Sequence, residues 1–240
     1  MSSSINTIRH SAFEKFRGRI LDVGCGNGAH SIDLLQNNHE CHVIGIDIDP
    51  CLLEKARQTA RELDVADRVE FILEDGNKMK FPPSEFDAIF FRAALHHLAS
   101  WKEVLSETKY WLKGGGILYL EEPLKNNPIA KFGLRVFYSV GSLFLNVHKR
   151  PDKNQWPFDP SELLEEVARH YRIKHVSYHG FLSSLFAIAS NYARNAATRE
   201  FLNRMSSATI GIDLLVECSP HLQRWCSIVI IQAENKSRRV

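Results

Sequence analysis

Gly24, Gly26 and Gly28 set three residues without side chains into one turn. A turn of that kind lets a ligand lie against bare main-chain N–H groups. Asp47 stands further on, and its carboxylate can accept both hydroxyl hydrogens of a vicinal diol such as a ribose; capping the next helix is its other possible duty. Asp75 beside Gly76 pairs an acceptor with an unshielded N–H, a combination able to read an adenine edge. His96 and His97 are adjacent imidazoles, the side chains suited to proton transfer at neutral pH, with helix capping as the alternative. Glu122 is a candidate base or anchor, and Glu121 is expected on the opposite face. Cys25, inside the glycine turn, reads as a small turn residue rather than a nucleophile. No metal is expected: neighbouring histidines rarely share a ligand geometry, and no third ligand is close in sequence.

These residues have to be held by something, and the hydrophobic pattern says what. Ile20, Leu21 and Val23 make a buried first strand ending at the glycine turn, followed by a helix from 29 to about 36. Residues 41–47 read as a second strand. Asp49 and Pro50 give a cap and a first helical position, and Leu52, Leu53, Ala56, Ala60 and Leu63 then recur at helical spacing. Further strands are expected at 69–73, 86–91 and 117–121, with a helix at 101–112 and a break at Gly114–Gly116. Strands alternating with helices predict a parallel, doubly wound sheet whose ligand lies at the carboxyl ends of the strands. The later half differs. A leading helix at 6–16 and helical spacing at 129–144 flank this core, a surface loop is expected at 149–156, and Asp159-Pro160-Ser161-Glu162 reads as a capping box. Strands at 171–178 and 226–231 bracket a helical stretch, 181–222.

The 240 residues suffice for one α/β domain with an appended cap. A net charge of +2 argues against a nucleic-acid footprint, and the basic tail at Lys236, Arg238 and Arg239 reads as a solvated terminus. Five cysteines without paired spacing suit free thiols in a reducing compartment. The polar start and the lack of an uninterrupted apolar stretch of about 20 residues predict no secretory signal and no membrane span, hence a cytoplasmic protein.

Gly24, Gly26 and Ala29 also satisfy a loose dinucleotide fingerprint, which keeps a nicotinamide dehydrogenase in view. The wider set decides between them. LDVGCGNG, VIGIDIDP, EDGNKMKFPPSEFDAIFFRAALHHL and WLKGGGILYLEEP, spanning about residues 19–123, resemble the class I S-adenosylmethionine-dependent methyltransferases in order and spacing. LHHL and EEPLKNNP are similar to the branch called methyltransferase type 11. The resemblance implies a Rossmann-like seven-stranded α/β sheet, mostly parallel with an antiparallel C-terminal strand. It implies a single domain over 1–240, with a cofactor-binding half at about 17–123 and helical cap insertions at about 128–158 and 180–222.

It also implies roles. Gly24, Gly26 and Gly28 pass under the methionine portion of S-adenosyl-L-methionine, and Asp22 orients its ammonium. Asp47 holds the ribose, Ile48 lies against the adenine, and Asp75 and Gly76 meet its edge. The Phe91-Arg92 backbone faces the methionine end. Arg92 departs from the small or polar residue usual there, leaving open a salt bridge to a substrate anion, one to Glu122, or a solvated side chain.

The implied reaction is in-line methyl transfer that leaves S-adenosyl-L-homocysteine; aligning the two reactants can supply roughly 7–11 kcal/mol at best. A base is needed only where the acceptor must lose a proton, and His97, His96 and Glu122 are the candidates. Of the remaining histidines, His148, His175 and His179 are expected at the surface. Phe132, Phe137, Tyr138, Phe181, Phe186 and Tyr192 could line an apolar cap or pack its own core, so the expected acceptor is a small apolar or amphipathic molecule, oxygen slightly favoured over carbon or nitrogen. The alternatives are an enzyme on this scaffold that keeps the cofactor without transferring methyl, as a cyclase or isomerase, an RNA or protein methyltransferase, and a non-enzymatic binding module.

Overall fold

The computed structural model describes residues 16–125, 127, 132, 158–191, 196–219 and 221–236. Its centre is the apolar run at residues 20–23. Strand β1 (Gly18–Val23) has Ile20 and Leu21 fully buried and pairs in parallel with β2 (Cys41–Asp47) on one side and β4 (Phe86–Arg92) on the other. Strand β3 (Val69–Leu73) lies outside β2, and β5 (Leu112–Pro123) lies beyond β4, both also parallel. With β6 (Tyr171–His179) and β7 (Ile228–Asn235) the strands run in the order β3-β2-β1-β4-β5-β7-β6. The sheet is thus mixed and Rossmann-like, mostly parallel with its antiparallel strand at the C-terminal end. The order reverses direction between β1 and β4, and such a switch point opens a crevice at the strand ends.

Local chemistry explains the helices. Helix α1 (Ala29–Asn37) starts from Gly28 at φ +71° and buries Ile32, Leu34 and Leu35. Helix α2 (Pro50–Glu62) is capped by Asp49, whose carboxylate accepts from the N–H groups of Cys51 and Leu52, and buries Leu53, Ala56 and Ala60. Helix α3 (Trp101–Trp111) precedes β5, and α4 (Pro160–His170) precedes β6. The three glycines expected as a break interrupt the pairing rather than the strand: Leu112 pairs with Phe86 and Ile117 with Ala88, leaving Lys113–Gly116 without register partners on β4. The glycines lie within β5, where Gly115 at φ +77° coincides with a register shift against β4 between Phe86 and Ala88. Glycine permits this irregularity without ending the strand. Strand β7 also runs later than expected, and at its end Asn235 Nδ2 donates to the carbonyls of Lys109, Leu112 and Lys113.

The chain clusters into two compact units. One comprises Arg9–Glu122, Ser161–Val176 and Ile230–Val240; the other comprises Met1–Ile8, Pro123–Pro160 and Ser177–Val229. The second is helical in its described part: α5 (Ser183–Asn191), α6 (Ala196–Ala208) and α7 (Ile210–Glu217) occupy the stretch expected to be helical. Buried Asp213 of α7 caps the start of α5, accepting from the N–H groups of Leu182 and Ser183 and from the Ser183 hydroxyl. The expected leading helix at 6–16, all but Phe16, and the expected loop at 149–156 lie outside the described residues, as does nearly all of the first cap insertion, 128–158.

Candidate active site

A cavity of about 310 Å3 opens at the carboxyl ends of four adjacent strands. Val23 and Gly24 come from the end of β1, and Ile46, Asp47 and Ile48 from the end of β2. Glu74, Asp75, Gly76 and Asn77 follow β3, and Ala93, Ala94, His97 and Leu98 follow β4. Its size is at the lower end of the ~300–1,000 Å3 usual for small-molecule sites.

The glycine turn is built for close approach. Gly24, Gly26 and Gly28 all have positive φ, at +71°, +55° and +71°. A Cβ on Gly24 would stand 2.6 Å from the Cβ of Ala94, and one on Gly28 would meet Phe71 at 2.6 Å and Ala56 at 2.9 Å. A Cβ on Gly26 would meet nothing within 4 Å, so its main chain fronts free space. Asp47 does more than face the cavity. Its Oδ2 accepts from Gly26 N at 2.8 Å and its Oδ1 from Asp49 N at 2.9 Å, tying the turn after β1 to the loop after β2. Capping of α2 belongs to Asp49, not Asp47.

Asp22, just before the turn, is 4% exposed and accepts from Ser31 Oγ at 2.6 Å. Burial raises its pKa, while the Ser31 hydrogen bond and the Arg92 charge pull the other way. Cys25 is buried and its thiol is pushed far above the ordinary range by desolvation and by the nearby carboxylates, the opposite of a reactive cysteine. Asp75 takes the N–H and Nδ2 of Asn77 on its Oδ1, which hold its carboxyl below the usual range. Gly76 lies under Leu98, where a Cβ would come within 3.0 Å, and Ile48 is 71% exposed at the cavity mouth.

The wall after β4 holds what sequence reasoning missed. Ala93 adopts φ +50°, rare for a residue with a Cβ, and its N–H reaches the Glu121 carbonyl at 2.7 Å. Glu122 is fully buried; its Oε1 accepts from Ala94 N (3.1 Å) and Leu95 N (2.8 Å), and its Oε2 meets His96 Nδ1 at 2.7 Å. The His96 ring lies 4.0 Å from that of His97, and His97, not His96 or Glu122, lines the cavity. Glu122 thus faces Ala94, Leu95 and His96 rather than the cavity. Phe91 is fully buried in β4 and Arg92 nearly so; neither side chain lines the cavity. Arg92 pairs with Glu121, Nε to Oε2 at 3.4 Å, rather than with Glu122. Both side chains are buried, which corrects the option of a solvated arginine. Ala93, Ala94, Asn77 and Leu98 carried no signal beyond lying inside the FFRAALHHL and EDGN stretches, because apolar and small residues become wall only through the backbone path.

Two other histidines follow the fold. His175 is exposed as expected, but His179 is buried between Glu217 (Nδ1 to Oε2, 3.1 Å) and Ser177 (Nε2 to Oγ, 2.9 Å), which corrects its expected surface position. Phe137, Tyr138, His148 and Tyr192 lie outside the described residues. Among the described residues no group of three or more His, Cys, Asp or Glu is placed to hold a metal ion, and no helix is long and apolar enough to cross a membrane.

The donor set is therefore bare main chain at Gly24 and Gly76, three carboxylates at Asp47, Glu74 and Asp75, and one imidazole. It suits a ligand that combines a diol, a heteroaromatic edge and positive charge. The comparisons agree with that chemistry. Residues 15–167 match the family model described as a methyltransferase domain. The 27-O-demethylrifamycin SV methyltransferase of Amycolatopsis mediterranei is 35% identical over 102 residues, 42% of this chain and 37% of that protein. A sterol 24-C-methyltransferase of Gibberella zeae is 34% identical over 104 residues, 43% of this chain and 27% of that protein. The chain thus matches only about a third of the length of these relatives. Among solved structures, the 4+2 cyclase SpnF superposes with a TM-score of 0.61 at 20% identity, covering 96% of this chain and 80% of that one. The chain belongs to the methyltransferase domain family and has the Rossmann-like fold of the class I S-adenosylmethionine-dependent methyltransferases.

Proposed function

We propose that the protein transfers the methyl group of S-adenosyl-L-methionine to a small apolar or amphipathic acceptor, with oxygen favoured over carbon or nitrogen. The observation that supports this best is the cavity at the β1/β4 switch point, floored by glycine backbone and walled by Asp47 and Asp75. When bound, the cofactor supplies an electrophilic methyl group on a sulfonium centre. Asp47 accepts from the ribose hydroxyls, Ile48 covers the adenine, and Asp75 with Gly76 N–H meets the adenine edge. Gly24, Gly26 and Gly28 admit the methionine portion, Asp22 orients its ammonium, and the Phe91-Arg92 backbone faces the same end. His97, on the cavity wall, takes the proton from a hydroxyl acceptor, a contribution of typically ~10²–10⁴-fold for a well-placed base. His96 and Glu122 support that wall from behind.

The relatives' names span oxygen, carbon and nitrogen acceptors, so the oxygen preference rests instead on His97, an imidazole on the cavity wall suited to taking a hydroxyl proton. A net charge of +2 is too small to argue for a nucleic-acid partner, and small-molecule acceptors fit the relatives' names. The test is incubation with cofactor carrying a labelled methyl group and a panel of lipids, quinones and polyketides. Label appearing in an ether-forming acceptor is the expected result. Label that never leaves the cofactor across a broad extract defeats the reading and favours an enzyme that keeps its cofactor intact.

A further inference from the structure

We propose that Glu122 is a positioning residue: working with His96, it holds the Ala93–Leu98 wall in the shape that receives the cofactor and sets the His97 ring toward the cavity. This deepens the proposed function and rests on it for the identity of the ligand. Glu122 closes three links at once, to two successive main-chain N–H groups and to an imidazole, with no exposed surface of its own. A carboxylate only accepts, so the proton between Glu122 Oε2 and His96 Nδ1 is assigned to the imidazole.

The wall needs such a hold. It begins with Ala93 at φ +50°, a conformation that persists only when its surroundings fix it. It presses Ala94 against the Gly24 turn so closely that a Cβ at Gly24 would fall 2.6 Å away. A small retreat of the wall therefore changes the cavity directly. His96 is 6% exposed at its side chain and does not line the cavity, but its ring packs on that of His97, which does. Buried between an acidic anchor and a cavity-lining ring, His96 transmits the position of Glu122 to His97.

The full chain is tested with S-adenosyl-L-homocysteine by titration calorimetry. Glu122→Ala and His96→Ala are expected to lose about tenfold or more in affinity, the scale on which misplaced site residues act. The double variant should lose little more than either single one, because both break the same chain of contacts. His96→Asn, which restores an N–H donor near the Nδ1 position, should bind nearly as the wild type. Glu122→Gln still accepts from the two amides but donates to His96, so the ring must switch to the tautomer protonated on the other nitrogen. Nitrogen-15 NMR of the histidine ring reads that switch without any ligand, and amide exchange at Ala94 and Leu95 reads the wall. A wild type that binds no homocysteine ligand but shows both signatures defeats the proposed function and leaves the positioning role standing. Alanine variants with wild-type affinity and unchanged exchange at Ala94 and Leu95 overturn the positioning role itself.

Discussion

Asp47 and Asp22 show how single carboxylates are put to different use. Asp47 already accepts two main-chain N–H groups, so it shapes the turn as well as facing the cavity. Hydrogen bonds to charged groups contribute ~1.5–3 kcal/mol each. Asp47→Ala is therefore expected to weaken binding of S-adenosyl-L-homocysteine by about ten- to a hundredfold, as a calorimetric titration would read. Asp22 is held against its own preference: burial raises its folded pKa above its ordinary value of 3.8. A carboxyl with a raised folded pKa favours folding when protonated and opposes it once pH climbs past its unfolded pKa. Asp22→Asn, which can still accept from Ser31, should thus melt at or above the wild-type temperature at pH 7. The gap should shrink as pH falls toward 4. On the role proposed for Asp22, the same variant should bind the cofactor more weakly, because it removes the charge proposed to orient the ammonium.

At the scale of the element, the glycine turn separates folding from binding within three residues. Gly28 sits under Phe71 and Ala56, so Gly28→Ala forces a collision with core atoms and should lower the melting temperature sharply. Gly26 fronts free space, so Gly26→Ala meets only the left-handed backbone cost of about 1–2 kcal/mol. Its added methyl should reduce cofactor affinity more than it reduces stability. Thermal melts and titrations of the two variants side by side should show opposite ratios. If both lose stability equally and bind equally, the division of labour in the turn is refuted. Strand β5 adds a related lesson: its three glycines interrupt the pairing with β4 without ending the strand, because parallel pairing resumes at Ile117.

For the molecule as a whole, ligand binding and folding are linked by mass action. A ligand present at a hundred times its dissociation constant stabilises the native state by about 2.7 kcal/mol. S-adenosyl-L-homocysteine should therefore raise the melting temperature in a concentration-dependent way, whereas nicotinamide dinucleotide should leave it unchanged. The reverse pattern would restore the dehydrogenase reading of the Gly24–Gly26–Ala29 fingerprint. The cavity belongs wholly to the larger of the two compact units, so this shift reports on that unit's sheet.

The sheet, and the strand ends that line the cavity, were legible in the amino-acid sequence. Apolar runs at 20–23, 41–47 and 86–91 end at or just before Gly24, Asp47 and Arg92, and a parallel sheet gathers those ends at one edge. Turn glycines and capping pairs such as Asp49-Pro50 are equally legible, because they obey local backbone rules. The rest turned on contacts between elements far apart in sequence. That Arg92 pairs with Glu121, that Glu122 faces Ala94, Leu95 and His96, and that His179 is buried all depend on register between strands and on a backbone turn at Ala93. Adjacent acidic residues on a strand point to opposite faces, so one residue of register exchanges their partners. No local pattern in the sequence fixes that choice; the packing of neighbouring strands does.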